Sequence, residues 1–440
     1  MKKIILLSLS VTLTVTSFSQ IDHKKEAVLV LDELKHKEFA KIIAICDSNM
    51  LSKIDAVKLE QVWNQLLGQL GVLQKSAAPT AMIKADLEYV DQVCDFEKMS
   101  LIFRLGFNKK DKISTLLFLP APQVDFYKFP DYAIKEQYEE TDIVVQTKSF
   151  LMGGTLTSPK GVKNFPIVIL IHGSGPGNRD EEIGKIKVFK DLAVGLASNG
   201  VGVIRYDKRT FVYGMKSCEN MDSLTVKEEV IEDVASAVKL AQTIEGADKN
   251  KIFLIGHSLG AMLMPRMASE IKGLAGVIMM AGNARPLEDV YMEQIMYLAN
   301  LDGKFTDEDR AQLEQVKLQI MKVKKLGAPG FNPAATELPL NINAKYWYDL
   351  KKYKQVEVAK KLILPVLILQ GQRDYQVTMQ DFTLWQNSLS AKPNFTLKSY
   401  PKLNHAFTEG DEAKSKPDEY DKQANVPEYV IKDIVDFVKK

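Results

Sequence analysis

Residues 251–260, Lys-Ile-Phe-Leu-Ile-Gly-His-Ser-Leu-Gly, decide the fold, because an apolar strand pattern ends there in a G-x-S-x-G turn that opens a helix pattern. This context makes Ser258 a predicted nucleophile. A Cβ atom on Gly256 or Gly260 would clash in so sharp a turn, and the strain lifts the serine hydroxyl out of the sheet. Since the pentapeptide alone recurs by chance in many chains, the surrounding sequence has to support the prediction.

The histidines indicate the catalytic base. A serine hydroxyl needs an imidazole within hydrogen-bond reach, and a carboxylate orients that imidazole. Where such a turn carries the nucleophile, the order along the chain is Ser, Asp or Glu, His, and of the five histidines only His405 follows Ser258. Asp374, in a Gly-containing loop after the buried-strand pattern at 365–370, is the predicted acid. Asp381, in the following helix pattern, is the second candidate.

A glycine-rich loop supplies candidates for the oxyanion hole. The apolar run at 165–171 ends in His-Gly-Ser-Gly-Pro-Gly at 172–177. Backbone N–H groups must point at the developing negative charge, and we predict those of Ser174 and Leu259. A phosphate cradle is the rival interpretation, but the loop lacks the Lys-Ser/Thr of a P-loop, and Asn178 stands at the third glycine position of G-x-G-x-x-G.

Together these residues resemble the bacterial α/β-hydrolases of the esterase and serine aminopeptidase type. The resemblance covers about residues 142–440 and includes the sequences Arg-Tyr-Asp-Lys-Arg at 205–209 and Asn-His at 404–405. The loop H-G-S-G-P-G-x-R-D at 172–180 is most similar to secreted or periplasmic carboxylesterases with an extra amino-terminal domain. The sequence departs from that pattern at Thr210-Phe211, where relatives usually have glycine, which leaves the shape of the substrate open.

The resemblance implies an α/β-hydrolase fold: a mostly parallel sheet with helices on both faces and a helical lid, preceded by a small α+β domain. It implies hydrolysis of a small-molecule carboxylic ester through an acyl-enzyme, by a triad of Ser258, Asp374 and His405, without a metal or cofactor. A serine aminopeptidase or amidase, and a non-catalytic ligand-binding protein on a hydrolase scaffold, are the alternatives. The predicted substrate-binding residues are His172, Gly173, Arg179, His257 and Tyr297.

The alternation of strand and helix patterns stops between about 283 and 361. Helix patterns at 287–301 and 307–326 indicate a lid over the pocket. Its large apolar side chains either line an acyl or alcohol site or pack beneath the lid; they are Tyr291, Met292, Met296, Tyr297 and Trp347. Pro265, inside the predicted nucleophile helix, is expected to kink it or give it an irregular turn.

The first residues indicate export. Residues 1–19 combine a basic start, an apolar stretch too short to span a bilayer and small residues before Gln20, which is typical of a cleaved signal peptide. We expect a periplasmic or secreted protein with no membrane contact after cleavage; an uncleaved anchor is the alternative. Residues 20–120 show helix patterns followed by strand patterns, which predicts an α+β accessory domain without catalytic groups. A linker at 121–141 follows.

Composition agrees with two domains. The 440 residues exceed one ordinary domain, and a formal net charge of +2 is too small to favour nucleic acid as a partner. Cys46, Cys94 and Cys218 are odd in number, so at least one stays unpaired within a monomer. A bridge between Cys46 and Cys94 stays open, although buried free thiols are the favoured interpretation. The sequence does not indicate an oligomeric state.

Overall fold

The fold divides into two compact units, Met1–Asp125 and Phe126–Lys440. A computed structural model describes residues 22–84, 87–120 and 127–440. The predicted signal peptide at 1–19 therefore lies outside the described residues. The boundary between the units falls inside the predicted linker at 121–141. From Tyr127 onward that segment belongs to the second unit, since the Tyr127 hydroxyl donates to Asp191 Oδ1 at 2.7 Å.

The amino-terminal unit has helices first and strands afterwards, as expected for an α+β domain. The helices are α1 (His23–Lys35), α2 (Phe39–Ala44), α3 (Ser48–Leu51) and α4 (Ala56–Leu70). The strands are β1 (Leu73–Ser76), β2 (Thr80–Lys84), β3 (Leu87–Phe96), β4 (Ser100–Phe107) and β5 (Ile113–Pro120). They form an antiparallel sheet in the order β1-β3-β4-β5, with β2 also paired to β3. The helices cover one apolar face, where Trp63 and Phe103 are buried.

Cys46 and Cys94 are buried free thiols in this unit. Cys46 Sγ donates to the Ile42 carbonyl and Cys94 Sγ to the Gln92 carbonyl. Burial raises the pKa of both thiols to about 11. The two side chains act as small apolar groups of the core rather than as a disulfide.

The second unit is built on an eight-stranded sheet in the order β15-β14-β13-β12-β8-β11-β7-β6. Its strands are β6 (Tyr138–Thr147), β7 (Phe150–Pro159), β8 (Phe165–Ile171), β11 (Gly202–Tyr206), β12 (Ala247–His257), β13 (Gly276–Met280), β14 (Val366–Gly371) and β15 (Phe395–Tyr400). The strands from β11 to β15, together with β8, are parallel to one another, while β6 and β7 add an antiparallel edge. All side chains of β8 are buried, as a strand covered on both faces requires.

Helices pack on both faces of this sheet, and further helices lie beyond them. The helices of the second unit are α5 (Val188–Ser198), α6 (Arg209–Tyr213), α7 (Glu232–Ala241), α8 (Leu259–Glu270), α9 (Leu287–Ala299), α10 (Asp307–Lys325), α11 (Ala344–Lys352), α12 (Gln355–Ala359), α13 (Met379–Leu389) and α14 (Glu428–Val438). One apolar core joins the sheet to α7, α8 and α13, and the other joins it to α5 and α14. The predicted α/β-hydrolase architecture is confirmed. No helix of the described residues has the length and apolar character needed to span a membrane.

The insertion at 283–361 holds the helices α9 to α12, of which α9 and α10 correspond to the two predicted helix patterns and α11 and α12 were not predicted. Thr306 caps α10 and accepts a hydrogen bond from the N–H of Asp309. Trp347 on α11 is completely buried and its indole N–H donates to the Pro339 carbonyl. It belongs to the core beneath the insertion, so the packing interpretation holds for this residue.

Pro265 lies inside α8, which nevertheless runs from Leu259 to Glu270 as one helix. In a regular helix the N–H of Arg266 would donate to the Met262 carbonyl. Here the Tyr353 hydroxyl stands between them: it accepts from Arg266 N at 3.2 Å and donates to Met262 O at 3.0 Å. A side chain at the end of α11 therefore satisfies the groups next to the proline, and the predicted interruption is bridged.

Two helices begin later than their patterns predict. The sequence pattern places a helix over 182–198, but the structure has two short strands, β9 (Glu182–Ile183) and β10 (Ile186–Lys187), before α5. Gly184 between them has φ +59 and lies against the Tyr420 carbonyl, where a side chain would not fit. The sequence also has a helix pattern over 226–244; there the structure opens with a wide π turn at Lys227–Ile231, and the α-helix α7 begins only at Glu232.

Candidate active site

Ser258 lies at the sharp turn between β12 and α8. Its φ of 52° and ψ of −115° are unusual for a residue with a side chain, and such strain is typical of functional turns. A Cβ atom on Gly256 would lie 2.5 Å from the backbone of Gly260, and one on Gly260 would lie 2.5 Å from the Ile171 carbonyl. Both flanking glycines are thus required by backbone contacts, which is the reason predicted from the motif.

His405 and Asp374 form a buried pair at the carboxyl ends of the neighbouring strands β15 and β14. Asp374 Oδ2 accepts from His405 Nδ1 at 2.7 Å. The other carboxylate oxygen accepts from the backbone N–H groups of Gln376 and Val377, at 2.7 and 3.0 Å. The acid is therefore held by its own loop, and His405 Nε2 is left to act on a substrate or on the serine.

Ser258 and His405 line the same cavity. Among the described residues, no hydrogen bond joins the serine hydroxyl to the imidazole; such contacts commonly tighten only when substrate is bound. Asp381, the second candidate acid, lies elsewhere. Its carboxylate accepts from the backbone N–H of Ala284 and from the backbone and guanidinium of Arg285.

The glycine-rich loop stands beside the nucleophile. A Cβ atom on Gly173 would lie 3.1 Å from Ser258 Cβ, so only glycine brings the backbone this close. Ser174 lines the cavity. Leu259 is the first residue of α8, where backbone N–H groups have no partner within the helix and the helix dipole favours negative charge. The two predicted oxyanion donors therefore flank Ser258.

A buried ion pair, which the sequence did not reveal, lies behind these loops. Glu181 Oε2 lies 3.1 Å from His257 Nδ1, and both side chains are less than a tenth exposed. Glu181 Oε1 accepts from Gly173 N at 2.7 Å, and His257 Nε2 donates to the His405 carbonyl at 2.8 Å. The pair thus connects the backbone of the glycine-rich loop to that of the His405 loop. His257 lines the cavity, but its ring nitrogens face these protein groups.

Charge stabilises this pair. Burial alone would lower the pKa of His257, but the Glu181 carboxylate outweighs it, so the pKa is raised. Burial alone would raise the pKa of Glu181, but the His257 imidazolium outweighs it and the pKa is lowered. A histidine inside the G-x-S-x-G motif, with an acidic run at 180–182 after the glycine-rich loop, is the one signal in the sequence that could have suggested the pair.

His172 also stabilises the loop. Its Nε2 donates to the Asn178 carbonyl at 2.8 Å, which closes the loop on itself. Burial lowers the pKa of the ring, so it is neutral. The ring lies against Gly177, where a Cβ atom would be 3.1 Å from His172 Cδ2. His172 and Gly173 border the cavity as predicted.

Arg179 is not among the residues that border the cavity, and its role in substrate binding stays a prediction. Its guanidinium makes two hydrogen bonds to Asp207, Nε to Oδ1 at 3.2 Å and Nη2 to Oδ2 at 2.7 Å. Its Nη1 donates to the Gly154 carbonyl. The arginine instead ties the end of the glycine-rich loop to β7 and to the loop after β11. An arginine next to a glycine-rich loop suggests a ligand contact, but the carboxylate that neutralises it is 28 residues away in the sequence.

Tyr297 is not among the residues that border the cavity. Its hydroxyl donates to the Ser415 carbonyl at 3.0 Å and its ring stacks on Tyr375. The residues of α9 that do border it are Leu287, Val290, Tyr291 and Gln294. Since each helical residue turns by about 100°, Tyr297 lies about two turns beyond Val290 and points away from Tyr291. Met292 and Met296 line a separate pocket with Tyr297, whose role in substrate binding stays a prediction.

The cavity has a volume of about 350 Å³ and is bordered by the glycine-rich loop, by Ser258 and His405, and by α9. All the residues around it belong to the second unit. Across the described residues, no cluster of three or more His, Cys, Asp or Glu side chains is arranged to hold a metal ion.

Comparison with known proteins gives matches over both units. Residues 164–412 match the family model described as serine aminopeptidase, S33, and residues 27–116 match a protein family of unknown function, DUF3887. Esterase EstD of Thermotoga maritima is 36% identical over 434 residues, which are 98% of each chain.

Solved structures are similar to part of this chain. Est1E from Butyrivibrio proteoclasticus aligns with a TM-score of 0.43 and 17% identity, over 68% of this chain and 99% of its own. The Pyrococcus furiosus esterase Pf2001 aligns with a TM-score of 0.43 and 16% identity, over 71% of this chain and 95% of its own.

Proposed function

This chain belongs to the serine aminopeptidase S33 family of hydrolases, and from that premise we propose that it hydrolyses carboxylic esters through an acyl-enzyme on Ser258. The relative EstD, named an esterase, matches nearly the whole chain including the amino-terminal unit. The observation that carries the mechanism is the convergence of a strained Ser258 and the His405–Asp374 pair on one cavity.

The mechanism follows from the positions of these groups. His405 Nε2 takes the proton of Ser258 as Oγ attacks the ester carbonyl, and Asp374 stabilises the imidazolium. The N–H groups of Ser174 and Leu259 donate to the oxyanion of the tetrahedral intermediate. The intermediate then expels the alcohol, which takes the proton from His405. Water, deprotonated by His405, attacks the acyl-enzyme carbonyl. The bond from the acyl carbon to Ser258 Oγ then breaks, Oγ takes the proton back from His405, and the carboxylic acid is released.

The charges around the cavity favour a neutral acyl group over a peptide amino terminus. An aminopeptidase must pair the substrate's ammonium with a carboxylate, because burial of an unpaired charge is costly. Glu181 borders the cavity, but its oxygens face Gly173 N and His257. Glu182 is exposed and accepts from the Asn178 side chain. The facing side of α9 contributes mainly apolar atoms, which suit an acyl chain.

A fluorophosphonate probe tests the nucleophile. Ser258→Ala should abolish labelling and leave the circular dichroism spectrum unchanged. Ser174→Ala is the matched control, since it removes the other serine hydroxyl at the cavity and keeps the backbone N–H; it should still label. Labelling of Ser258→Ala at the rate of the unaltered protein would contradict the assignment.

A substrate panel tests the reaction class. We expect p-nitrophenyl esters of short acids to be cleaved with kcat/KM at least 10²-fold above that of aminoacyl p-nitroanilides, because, of the two carboxylates that border the cavity, Glu181 is already paired and Glu182 is exposed to water. The opposite ranking would make the protein an aminopeptidase and leave the triad in place. No turnover of either class by a protein that binds esters would favour a non-catalytic binding protein.

We also propose that the chain is exported and begins at Gln20 after cleavage. The support is the composition of residues 1–19, a basic start followed by a short apolar stretch. The intact mass of the protein from a periplasmic fraction should lack these residues. A full-length mass in the membrane fraction would show an uncleaved anchor.

A further inference from the structure

Lys208, just after β11, contacts three carbonyl groups of the glycine-rich loop. Its Nζ donates to Gly173 O and to Gly175 O, each at 2.9 Å, and its backbone N–H donates to Gly177 O at 3.0 Å. The three acceptors alternate along the loop, so one side of this backbone segment faces the lysine. Lys208 itself is not among the residues that border the cavity. It therefore holds the loop from behind.

These contacts determine the direction of the Ser174 N–H. The carbonyl of Gly173 and the N–H of Ser174 belong to one peptide unit, and the described chain has no cis peptide bonds. In a trans peptide the C=O and N–H point in opposite directions. Because Nζ holds the carbonyl on the rear side, the N–H points to the side of the cavity. The second carbonyl that Nζ holds, that of Gly175, belongs to the peptide that ends in Pro176, which has no N–H to compete for the oxyanion.

The charge of Lys208 is buried, and the carboxylate of Glu229 neutralises it. Lys208 and Glu229 have side chains that are 4% and 7% exposed, and Nζ lies 2.5 Å from Glu229 Oε1. The second oxygen of Glu229 accepts from the Tyr346 hydroxyl on α11 at 2.6 Å. Burial of two charges is expensive and often contributes nothing to stability compared with apolar side chains of the same size. A gain in precise backbone orientation would explain why the site carries this pair.

We propose that Lys208 is a positioning residue that orients the Ser174 N–H in the oxyanion hole, an inference that rests on the proposed acyl-transfer function. Lys208 touches neither the substrate nor Ser258. Its effect is to keep one peptide plane in the orientation that stabilises the tetrahedral intermediate. Loss of the lysine should then weaken binding of the transition state more than binding of the ester.

The test is the double variant Lys208→Met/Glu229→Gln. Methionine keeps the length of the side chain, glutamine keeps an acceptor for Tyr346, and no uncompensated charge is left buried. We expect kcat for a p-nitrophenyl ester to fall about 10²-fold, as loss of an oxyanion donor does, with KM changed less than threefold. Affinity for a trifluoromethyl ketone, which forms a tetrahedral adduct with the serine, should fall by a similar factor.

A matched control is the double variant Arg209→Met/Asp233→Asn. This pair is equally buried and directly follows Lys208 in the chain, with Arg209 Nε donating to Asp233 Oδ2 at 3.1 Å, but it does not contact the glycine-rich loop. It should lose stability and keep kcat.

If both double variants retain kcat, or lose it equally in proportion to folded protein, Lys208 has only a structural role and the inference is wrong. A rise in KM at constant kcat would also overturn it. Failure of the unaltered protein to turn over any ester or amide would instead refute the proposed function, so the two failures are distinguishable.

Discussion

Two sides of the cavity are held in place by different means: the loops beside Ser258, here called the floor, and the helix α9, here called the roof. In the floor, the buried pairs Glu181–His257 and Lys208–Glu229 contact backbone groups of the loops beside Ser258. In the roof, α9 meets the cavity through side chains, most of them apolar. Backbone direction therefore depends on charge in the floor, while cavity shape depends on side-chain volume in the roof. Substitutions in the floor should change turnover and stability, and substitutions in the roof should change substrate preference.

The largest expected effect is in the floor, at the acid. Asp374→Asn should lower kcat about 10⁴-fold, since removal of the orienting carboxylate leaves His405 in the wrong tautomer. Asp381→Asn should keep kcat within a few-fold, because its carboxylate contacts Arg285 and not His405. Steady-state kinetics per mole of folded protein measures both. If Asp381→Asn lost its activity while Asp374→Asn kept it, Asp381 would be the acid of the triad.

The second effect concerns the charge of His257. The raised pKa of His257 means that its stabilising contribution is complete below the unfolded value, about 6.5, and is lost as pH rises through the folded value. His257→Gln keeps an N–H for the His405 carbonyl but removes the charge. We expect the free energy of unfolding to fall by about 3 kcal/mol at pH 6, with a deficit that shrinks toward pH 9.

Urea denaturation at several pH values measures this deficit. The double variant Glu181→Gln/His257→Gln is the control, since it leaves no buried carboxylate without a partner, and it should lose less stability than the single variant at pH 6. A deficit of the single variant that stays constant from pH 6 to 9 would mean that the histidine is neutral in the folded protein.

A smaller effect is expected in the roof. Tyr291→Ala opens space beside Ser258, and each methylene admitted to an apolar site contributes about 0.8 kcal/mol. We expect the ratio of kcat/KM for an octanoate ester to that for a butyrate ester to rise about tenfold. Tyr297→Ala, at a residue of α9 that is not among those bordering the cavity, should leave this ratio unchanged. Equal shifts in both variants would show that the helix moves as a whole.

The smallest effect tests how α11 supports the floor. Tyr353→Phe removes the hydroxyl between Arg266 N and Met262 O next to Pro265. Two backbone groups then lose a partner, so we expect a loss of about 1–2 kcal/mol in the free energy of unfolding without a change in kcat. Tyr348→Phe, at a more exposed tyrosine of the same helix, is the control and should be neutral. Equal stabilities of the two variants would assign the bridging hydroxyl no energetic role.

The fold, and the position of the three predicted triad residues at one edge of the sheet, could be predicted from the sequence because the signals are local. Ser258, Asp374 and His405 each follow an apolar strand pattern, and the carboxyl ends of parallel strands meet at one edge of a sheet. The alternation of strands and helices likewise predicted the sheet and the lid. The two glycines of the G-x-S-x-G turn could also be explained from the motif alone, since a Cβ atom on either would clash with the backbone.

Only the tertiary structure decided which buried charged side chains pair with one another and which residues of α9 border the cavity. Lys208 and Glu229 are 21 residues apart, and Glu181 and His257 are 76 apart, so no spacing rule pairs them. The partners of Arg179 and Tyr297 were hidden for the same reason: each side chain contacts a residue distant in the sequence, Asp207 and Ser415. Residue types and local backbone preferences are properties of the sequence, whereas the pairing of buried groups depends on how the elements pack.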